Sequence, residues 1–486
     1  MAVIGGGVAG LGAALLLARA GHRVTVLERD DAPLPDDAAG AFDWERRGAP
    51  QVRHSHALLS RLRNLLRERL PDVMPALLAV GAEELPLSNL LRDGIDDPSP
   101  RPGDDELTLI ACRRLTFEWV LRRIALDTPG IEFAGGSQAE GLVLARDGEP
   151  PRVEALRVVR GREPEAPFAA DLFVDASGRR SRLGAWLEAE GLPRPAEESS
   201  PCGIFYCSRF YRLLPGVRPP ERETTIGADL GYLKYAIFHG DSNIFSVTLA
   251  ADPEDRELRA VLREAAFERA ARELPPVSCW LEPGLSEPIS EVYAMDGLRN
   301  VRRRFVRDGR PLVRGLVAIG DAAIHSNPLY GRGCTLAFVH AAALADAVAE
   351  HGDDLTALAL ALEAATEREL VPWYRLAVAQ DRDAAAWARQ LREGRPPKAH
   401  DESGAVDPRA YMRDLLKNGL VPALRLDATV LRAFLRSFNL LDPPGELLKD
   451  PALLGRVLAV YQRRHERTEP NLGPDRAGLL ERLAAA

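Results

Sequence analysis

The hydrophobic pattern changes period twice within the first thirty residues. Residues 2–4 are a short apolar run, residues 9–20 carry an apolar face at helical spacing, and residues 23–27 return to strand character. Gly21 stops the predicted helix and Glu28 closes the second strand. A loop rich in Asp, Pro and Gly runs to about residue 52, followed by a predicted helix over 56–70 that Pro71 ends. Residues 92–106 are polar and turn-rich, the composition of a crossing between domains. A strand at 107–111 and a helix at 115–127 come next, with arginines at 113, 114, 122 and 123. Alternation over 138–146 and 152–160 predicts a hairpin around Asp147-Gly148.

Residues 170–175 are a continuous apolar run ending in an acid, as in a buried parallel strand, and 312–319 read the same way. Between them, residues 200–250 are dominated by aromatic and β-branched side chains and predict an inserted sheet. A helix is expected near 254–274, and an Ala- and Leu-rich helix over 333–351. Beyond residue 354 the pattern is helical, with proline breaks at 372, 396–397, 422, 443–444 and 451.

At 486 residues the chain exceeds one ordinary core, so two or three domains are expected. The net charge of −8 disfavours nucleic acid as a partner. Five scattered cysteines (112, 202, 207, 279 and 334) lack metal-ligand spacing, so no metal is expected and buried thiols in a reducing compartment are the better reading. No stretch reads as an apolar membrane span, and the expectation is a soluble, cytoplasmic protein with no transmembrane segment.

The candidate chemistry begins at Gly5, Gly7 and Gly10, which fall in the G-x-G-x-x-G register between strand and helix. Gly5 permits the tight turn, Gly7 lets backbone approach a pyrophosphate, and Gly10 allows close helix–strand packing. The anion would sit at the helix N-terminus, and Glu28 would accept from ribose hydroxyls. By itself this specifies a dinucleotide without choosing between FAD and NAD.

Two further motifs follow in order, DASGRRS at 175–181 and GDAAIHSNPLYGRG at 320–333. With GGGVAG and Glu28, their order and spacing resemble the FAD-dependent monooxygenases of the aromatic-hydroxylase fold, over about residues 1–350. The Pro-Leu-Tyr-Gly-Arg-Gly form, together with QVRHSH at 51–56, looks closest to the branch of bacterial polyether epoxidases and related tailoring oxygenases. The resemblance implies an α/β fold: a Rossmann-like FAD-binding domain, an inserted mainly β substrate domain and a helical C-terminal region. The FAD-binding domain would take 1–90, 107–190 and 285–350, the substrate sheet 191–284 with 91–106, and the helical region 351–486. The implied cofactor set is Gly5, Gly7, Gly10, Glu28, Arg29, Arg114, Asp321, Pro328, Gly331, Gly333 and Cys334. In it Asp321 contacts the ribityl chain, the turn from Pro328 to Cys334 passes beneath the flavin ring, and Arg114 helps hold the cofactor.

The implied activity is insertion of one oxygen atom, by epoxidation or hydroxylation, into a lipophilic small molecule of natural-product biosynthesis through a flavin C4a-hydroperoxide. Molecular oxygen is the co-substrate, NADPH or NADH the reductant, and a separate flavin reductase a further candidate partner. The Ser177-Gly178 pair departs from the Asp-Gly of aromatic hydroxylases and also resembles geranylgeranyl reductases and flavin halogenases, leaving the handling of the reductant open. The alternative is an FAD-dependent reductase or dehydrogenase of carbon–carbon double bonds. Against a halogenase, the chain has no lysine before Lys234, where that family places a catalytic one, and no W-x-W-x-I-P signature. A flavin-free binding protein of the same fold, as among Rab escort proteins, is opposed by the intact glycines, Glu28 and Asp321.

His54, His56 and Tyr330 are the catalytic candidates, with capping, backbone hydrogen bonding and ring packing as the competing roles. The arginines of 301–310 read as a solvated surface, and the apolar helices of 420–440 as core packing in preference to a lid.

Overall fold

The computed structural model describes residues 1–92, 94–220, 227–395 and 406–484. Strand β1 (Ala2–Ile4) leads through the glycine turn into α1 (Val8–Arg19) and β2 (Val24–Glu28). Helices α2 (Ser60–Arg69) and α3 (Arg114–Asp127) precede β3 (Ile131–Gly135). An antiparallel three-stranded sheet (Ser137–Ala145, Arg152–Arg160 and Ala166–Ala169) is followed by β4 (Phe173–Asp175). Then come β5 (Phe205–Leu213), β6 (Leu233–His239), β7 (Ile244–Ala251), β8 (Arg299–Arg304) and β9 (Leu316–Ala318). Helices α4 (Gly333–His351), α5 (Val371–Arg392) and α6 (Ala428–Phe438) belong to the last third.

The central sheet is parallel, in the order β9-β4-β1-β2-β3. Its strands are apolar on both faces because helices cover one side and the hairpin sheet the other, which is why 2–4 and 173–175 lack alternation. Helix α4 packs on α1, where Phe338 would lie 3.3 Å from a β-carbon at Gly12. By length and composition alone α4 is apolar enough to cross a membrane, but 67% of its most apolar stretch is buried inside this core. The fold class is the expected one: a Rossmann-like sheet, an inserted antiparallel sheet and a helical C-terminal region.

In the inserted sheet β6, β7 and β5 pair in that order, with Ser286–Pro288 and Tyr293–Met295 also paired to β5. One face of it (Phe205, Cys207, Tyr235, Ile237, Val247, Leu249) is covered by the helix Glu264–Arg272 and residues around Trp280. The opposite face carries Tyr206, Ser208, Phe238, Ser246 and Thr248 and looks toward the central sheet.

Several expectations shift. The helix placed at 56–70 starts at Ser60, because Leu58 is held extended by the Ile110 N–H donating to its carbonyl at 3.0 Å. The helix placed at 254–274 splits into a turn at Leu258–Leu262 and a helix at Glu264–Arg272. The 91–106 stretch packs on α6, not on the inserted sheet, through Ile95 against Leu431 and Leu435 and through an Arg432–Asp104 ion pair at 2.8 Å. Strands beyond residue 284 belong to the inserted sheet, which moves that boundary. Arg302 is buried, paired with Glu198 and Glu367, so this part of 301–310 is not solvated surface. Pro372 and Pro422 open helices in their first turns, while Pro396 and Pro397 lie outside the described residues. Residues 420–440 pack into the core through Ala423, Val430 and Leu431.

Candidate functional site

One continuous cleft runs along the carboxyl ends of the parallel strands, where open α/β sheets bind ligands. Ile4 at the end of β1 and Gly5 after it, Glu28 at the end of β2, Ala176 after β4 and Gly320 after β9 all line it. Gly5 has φ +101°, and a β-carbon there would meet the Ala176 carbonyl oxygen at 2.7 Å. A β-carbon on Gly10 would lie 1.9 Å from the Gly5 carbonyl oxygen, so only glycine fits that crossing. At Gly7 a β-carbon would meet nothing within 4 Å, because the cleft begins there.

Two helices point their N-termini at this cleft. Helix α1 starts after Gly7 and α4 after Arg332, and neither has a side-chain cap. The first N–H groups of each are left for a ligand, and both dipoles favour negative charge. Gly333, which opens α4, again has nothing within 4 Å of where a β-carbon would be. These two uncapped ends, each behind an open glycine wall, fit the pyrophosphate and ring ends of a flavin dinucleotide.

Glu28 is buried and already committed. It accepts from the Gly6 N–H at 2.8 Å, from the Asp30 N–H at 3.0 Å and from Arg46 Nη2 at 3.3 Å. A carboxylate offers about four acceptor positions, which leaves room for one ribose hydroxyl. Arg46 also donates to Glu118 at 2.7 Å, and Glu118 accepts from Arg114 Nη2 at 2.7 Å. Arg114 Nη1 reaches Cys334 Sγ at 3.2 Å, so the chain of charges ends at the start of α4. Burial pushes the Glu118 carboxyl up, but Arg46 and Arg114 outweigh it and hold it below the usual range. Arg29 is exposed at the cleft's edge.

On the other wall Asp175 organises the middle motif by accepting from the Ser177 N–H at 3.0 Å and from the Ser177 and Ser181 hydroxyls. This presents Arg179, whose Nε donates to Asp321 Oδ2 at 3.2 Å. His325 lies beside them with Nδ1 3.0 Å from the Asp321 carbonyl oxygen. Sequence reasoning missed Arg46, Glu118 and Arg179. The only signal for Arg179 was its place directly after Ser177-Gly178.

At the far end the inserted sheet roofs the cleft. Ser55 Oγ lies 2.7 Å from both Ser246 Oγ and Thr248 Oγ1, and Ser208 Oγ is 2.8 Å from Thr248 Oγ1. His54 Nδ1 stands 3.3 Å from Ser208 Oγ, and the ring packs edge-on against Tyr206 with centroids 4.7 Å apart. The QVRHSH segment is thereby fastened to the sheet by hydroxyls that sit where a purely apolar strand face would otherwise be. His56 lines the cleft with Nδ1 2.9 Å from the His54 carbonyl oxygen. Burial, with Arg179 nearby, lowers His54 to about 4; burial, with Arg114, lowers His56 to about 3. Both are neutral at physiological pH. Ser55, His56, Tyr206, Phe238, Thr248 and Leu329 therefore form a mostly uncharged chamber. Tyr330 does not line it: its hydroxyl donates to Asp381 Oδ1 at 2.7 Å, on the side of the turn away from the cleft.

Residues 1–75 match the family model described as FAD dependent oxidoreductase. Over 497 aligned positions the chain is 29% identical to Protein Rv3254 of Mycobacterium tuberculosis strain H37Rv, covering 96% of each. Its structure is similar to that of pqsL, a probable FAD-dependent monooxygenase from Pseudomonas aeruginosa, with a TM-score of 0.52 and 17% identity over 80% of this chain and 95% of that one. It is likewise similar to the myxobacterial chondrochloren halogenase CndH, with a TM-score of 0.55 and 17% identity over 85% and 95% of the two chains. The family match is thus confined to the first 75 residues, while the structural likeness extends over most of the chain. That fold is shared by a probable monooxygenase and a halogenase, and it singles out no polyether epoxidase branch.

Proposed function

We propose that the cleft holds FAD and that the protein is a monooxygenase placing one oxygen atom in a lipophilic small molecule, by epoxidation or hydroxylation, in natural-product biosynthesis. The observation that carries this reading is the continuity of the cleft. It joins the uncapped end of α1 at Gly7 to the uncapped end of α4 at Gly333 and then opens under the hydroxyl and aromatic face of the inserted sheet. FAD, when bound, supplies electron storage and oxygen activation.

The chain's own residues bind, orient and exclude water. Gly7 and the first turn of α1 receive the pyrophosphate, Glu28 the adenosine ribose, Asp321 the ribityl hydroxyls, and the turn from Pro328 to Cys334 the ring. Arg29, at the cleft's edge, would lie beside the adenosine end, and Arg114, through its contact with Cys334, would brace the turn that holds the ring. The positive end of α4 favours negative charge on the ring system. Phe238, Tyr206 and Leu329 supply apolar contact to substrate, while Thr248, Ser55 and neutral His56 offer hydrogen bonds. Of the His54–His56 pair, His56 is the one that lines the cleft, where its neutral ring can hydrogen-bond substrate. The reductant is NADPH or NADH, directly or through a flavin reductase, and the location is cytoplasmic.

The test is turnover of a panel of lipophilic aromatic and polyene probes by FAD-loaded protein under isotopically labelled oxygen gas. One labelled oxygen atom in the product supports the reading. A reduced or newly formed carbon–carbon double bond without label would replace it with a reductase or dehydrogenase.

A further inference from the structure

The turn that walls the ring end of the cleft is held from behind by a helix of the C-terminal region. Asp381 on α5 is 4% exposed and accepts three hydrogen bonds from neutral donors. Asn327 Nδ2 and the Tyr330 hydroxyl each donate to Oδ1 at 2.7 Å, and Asn300 Nδ2 donates to Oδ2 at 2.7 Å. Asn300 Oδ1 in turn accepts from the Asn327 N–H at 2.8 Å, and Asn327 Oδ1 accepts from the Leu329 N–H at 3.0 Å. Asn300 and Asn327 are 0% and 3% exposed, so the network is closed off from water. A second anchor lies next to it: the Arg332 guanidinium sits 4.9 Å from the Tyr330 ring and 5.0 Å from the Trp373 ring of α5.

The turn thus divides its residues. Tyr330 and Arg332 face α5, whereas Leu329, Gly331 and Gly333 line the cleft. Among the described residues Asp381 has no cation within ion-pair distance, although the nearby Arg332 guanidinium favours its charge, and a buried carboxylate is costly unless its hydrogen bonds are made. Core packing alone would be served more cheaply by an apolar side chain at this position. What the carboxylate adds is a fixed position for three donors, two of them on the turn itself.

We propose that Asp381 is a positioning residue that fixes the turn from Asn327 to Gly333 for the flavin ring, making cofactor affinity a property of the C-terminal helices as well as of the glycine motif. The proposal rests on the FAD reading above. Asp381→Asn keeps the shape and removes the acceptor for at least one donor.

The experiment compares wild type, Asp381→Asn and the swap Asp381→Asn with Asn327→Asp, which returns a carboxylate to the network from the turn's side. FAD affinity is read by flavin fluorescence, the ring's surroundings by visible circular dichroism, and the turn by amide exchange of 328–334 in FAD-free protein. Asp381→Asn is expected to weaken FAD by about tenfold or more, the size of one or two lost buried hydrogen bonds. It should also change the visible dichroism and speed exchange in the turn, with the swap recovering most of each. Unchanged affinity and exchange in Asp381→Asn would overturn the proposal, as would a swap no better than the single variant. If Asp381→Asn does not fold, Tyr330→Phe, which removes one donor, decides the same question by the same readouts. Failure of wild type to bind FAD would sink the FAD reading, while amide exchange would still decide whether Asp381 holds the turn.

Discussion

Arg46 Nε lies 2.7 Å from Glu118 Oε1, joining the loop after β2 to the middle of α3 in a contact sealed from water at both ends. Glu118 also holds Arg114, so a single carboxylate bridges two guanidiniums beside the cleft. Removing one partner of such a group leaves buried charge uncompensated, at a cost of about 3–5 kcal/mol. Glu118→Gln should therefore lower the unfolding free energy, read from urea denaturation, by an amount of that order. A shift no larger than that of an exposed glutamate variant, such as Glu188→Gln, would show that the network does not stabilise the fold.

Gly7 and Gly10 separate binding from folding. Gly7→Val places its side chain in open cleft at extended backbone, so unfolding free energy should change by about 0.5 kcal/mol or less while FAD binding is lost. Gly10→Ala drives a methyl group into the Gly5 carbonyl and should cost on the order of 1–3 kcal/mol or more. Thermal melts and FAD titration of both variants check the contrast. Equal effects on stability would contradict it.

Three histidines set the acid limit. Burial lowers His54 to about 4 and His56 to about 3, and lowers His340, which accepts from the Gly320 N–H at 3.1 Å, to about 3. Unfolding frees each to bind a proton near pH 6.5, so the unfolded state takes up more protons below that pH and stability falls as pH drops toward 4. Each contributes up to about 2 kcal/mol of loss by pH 5. Urea unfolding at pH 7.5 and pH 5, both values chosen about the free histidine range, should show the drop, and His340→Gln should reduce it. A flat profile would contradict neutral burial of these rings.

Asp321 is half-buried and pairs with Arg179 on one oxygen. Asp321→Ala should leave the fold intact but weaken FAD by about 10- to 100-fold, the range for a lost charged hydrogen bond. Isothermal titration measures it, and unaltered affinity would remove Asp321 from the cofactor set.

What the sequence made legible was what is local in it. Gly5, Gly7, Gly10 and Glu28 lie within one strand–turn–helix–strand unit, and Asp321 with the turn after it lies within fourteen residues, so spacing alone carries them. Arg46, Glu118, Arg179 and Asp381 act through partners 72, 72, 142 and 51 to 81 positions away, and no periodicity reports such pairs. Arg302 looked solvated because its carboxylate partners, Glu198 and Glu367, come from a distant strand and helix. The helix after QVRHSH was placed too early because its apolar spacing begins before Leu58 is released from Ile110. Helix α4 shows the converse: its apolar character on all sides reflects burial between α1 and the neighbouring helices.

The measurement that bears most directly on the central claim is rapid mixing of the anaerobically reduced protein–FAD complex with oxygenated buffer, followed by flavin absorbance. The account predicts a transient species, distinct from reduced and oxidised flavin, before the oxidised spectrum returns. Direct return to oxidised flavin in one step, with and without lipophilic probes, would contradict oxygen insertion and favour a reductase or dehydrogenase.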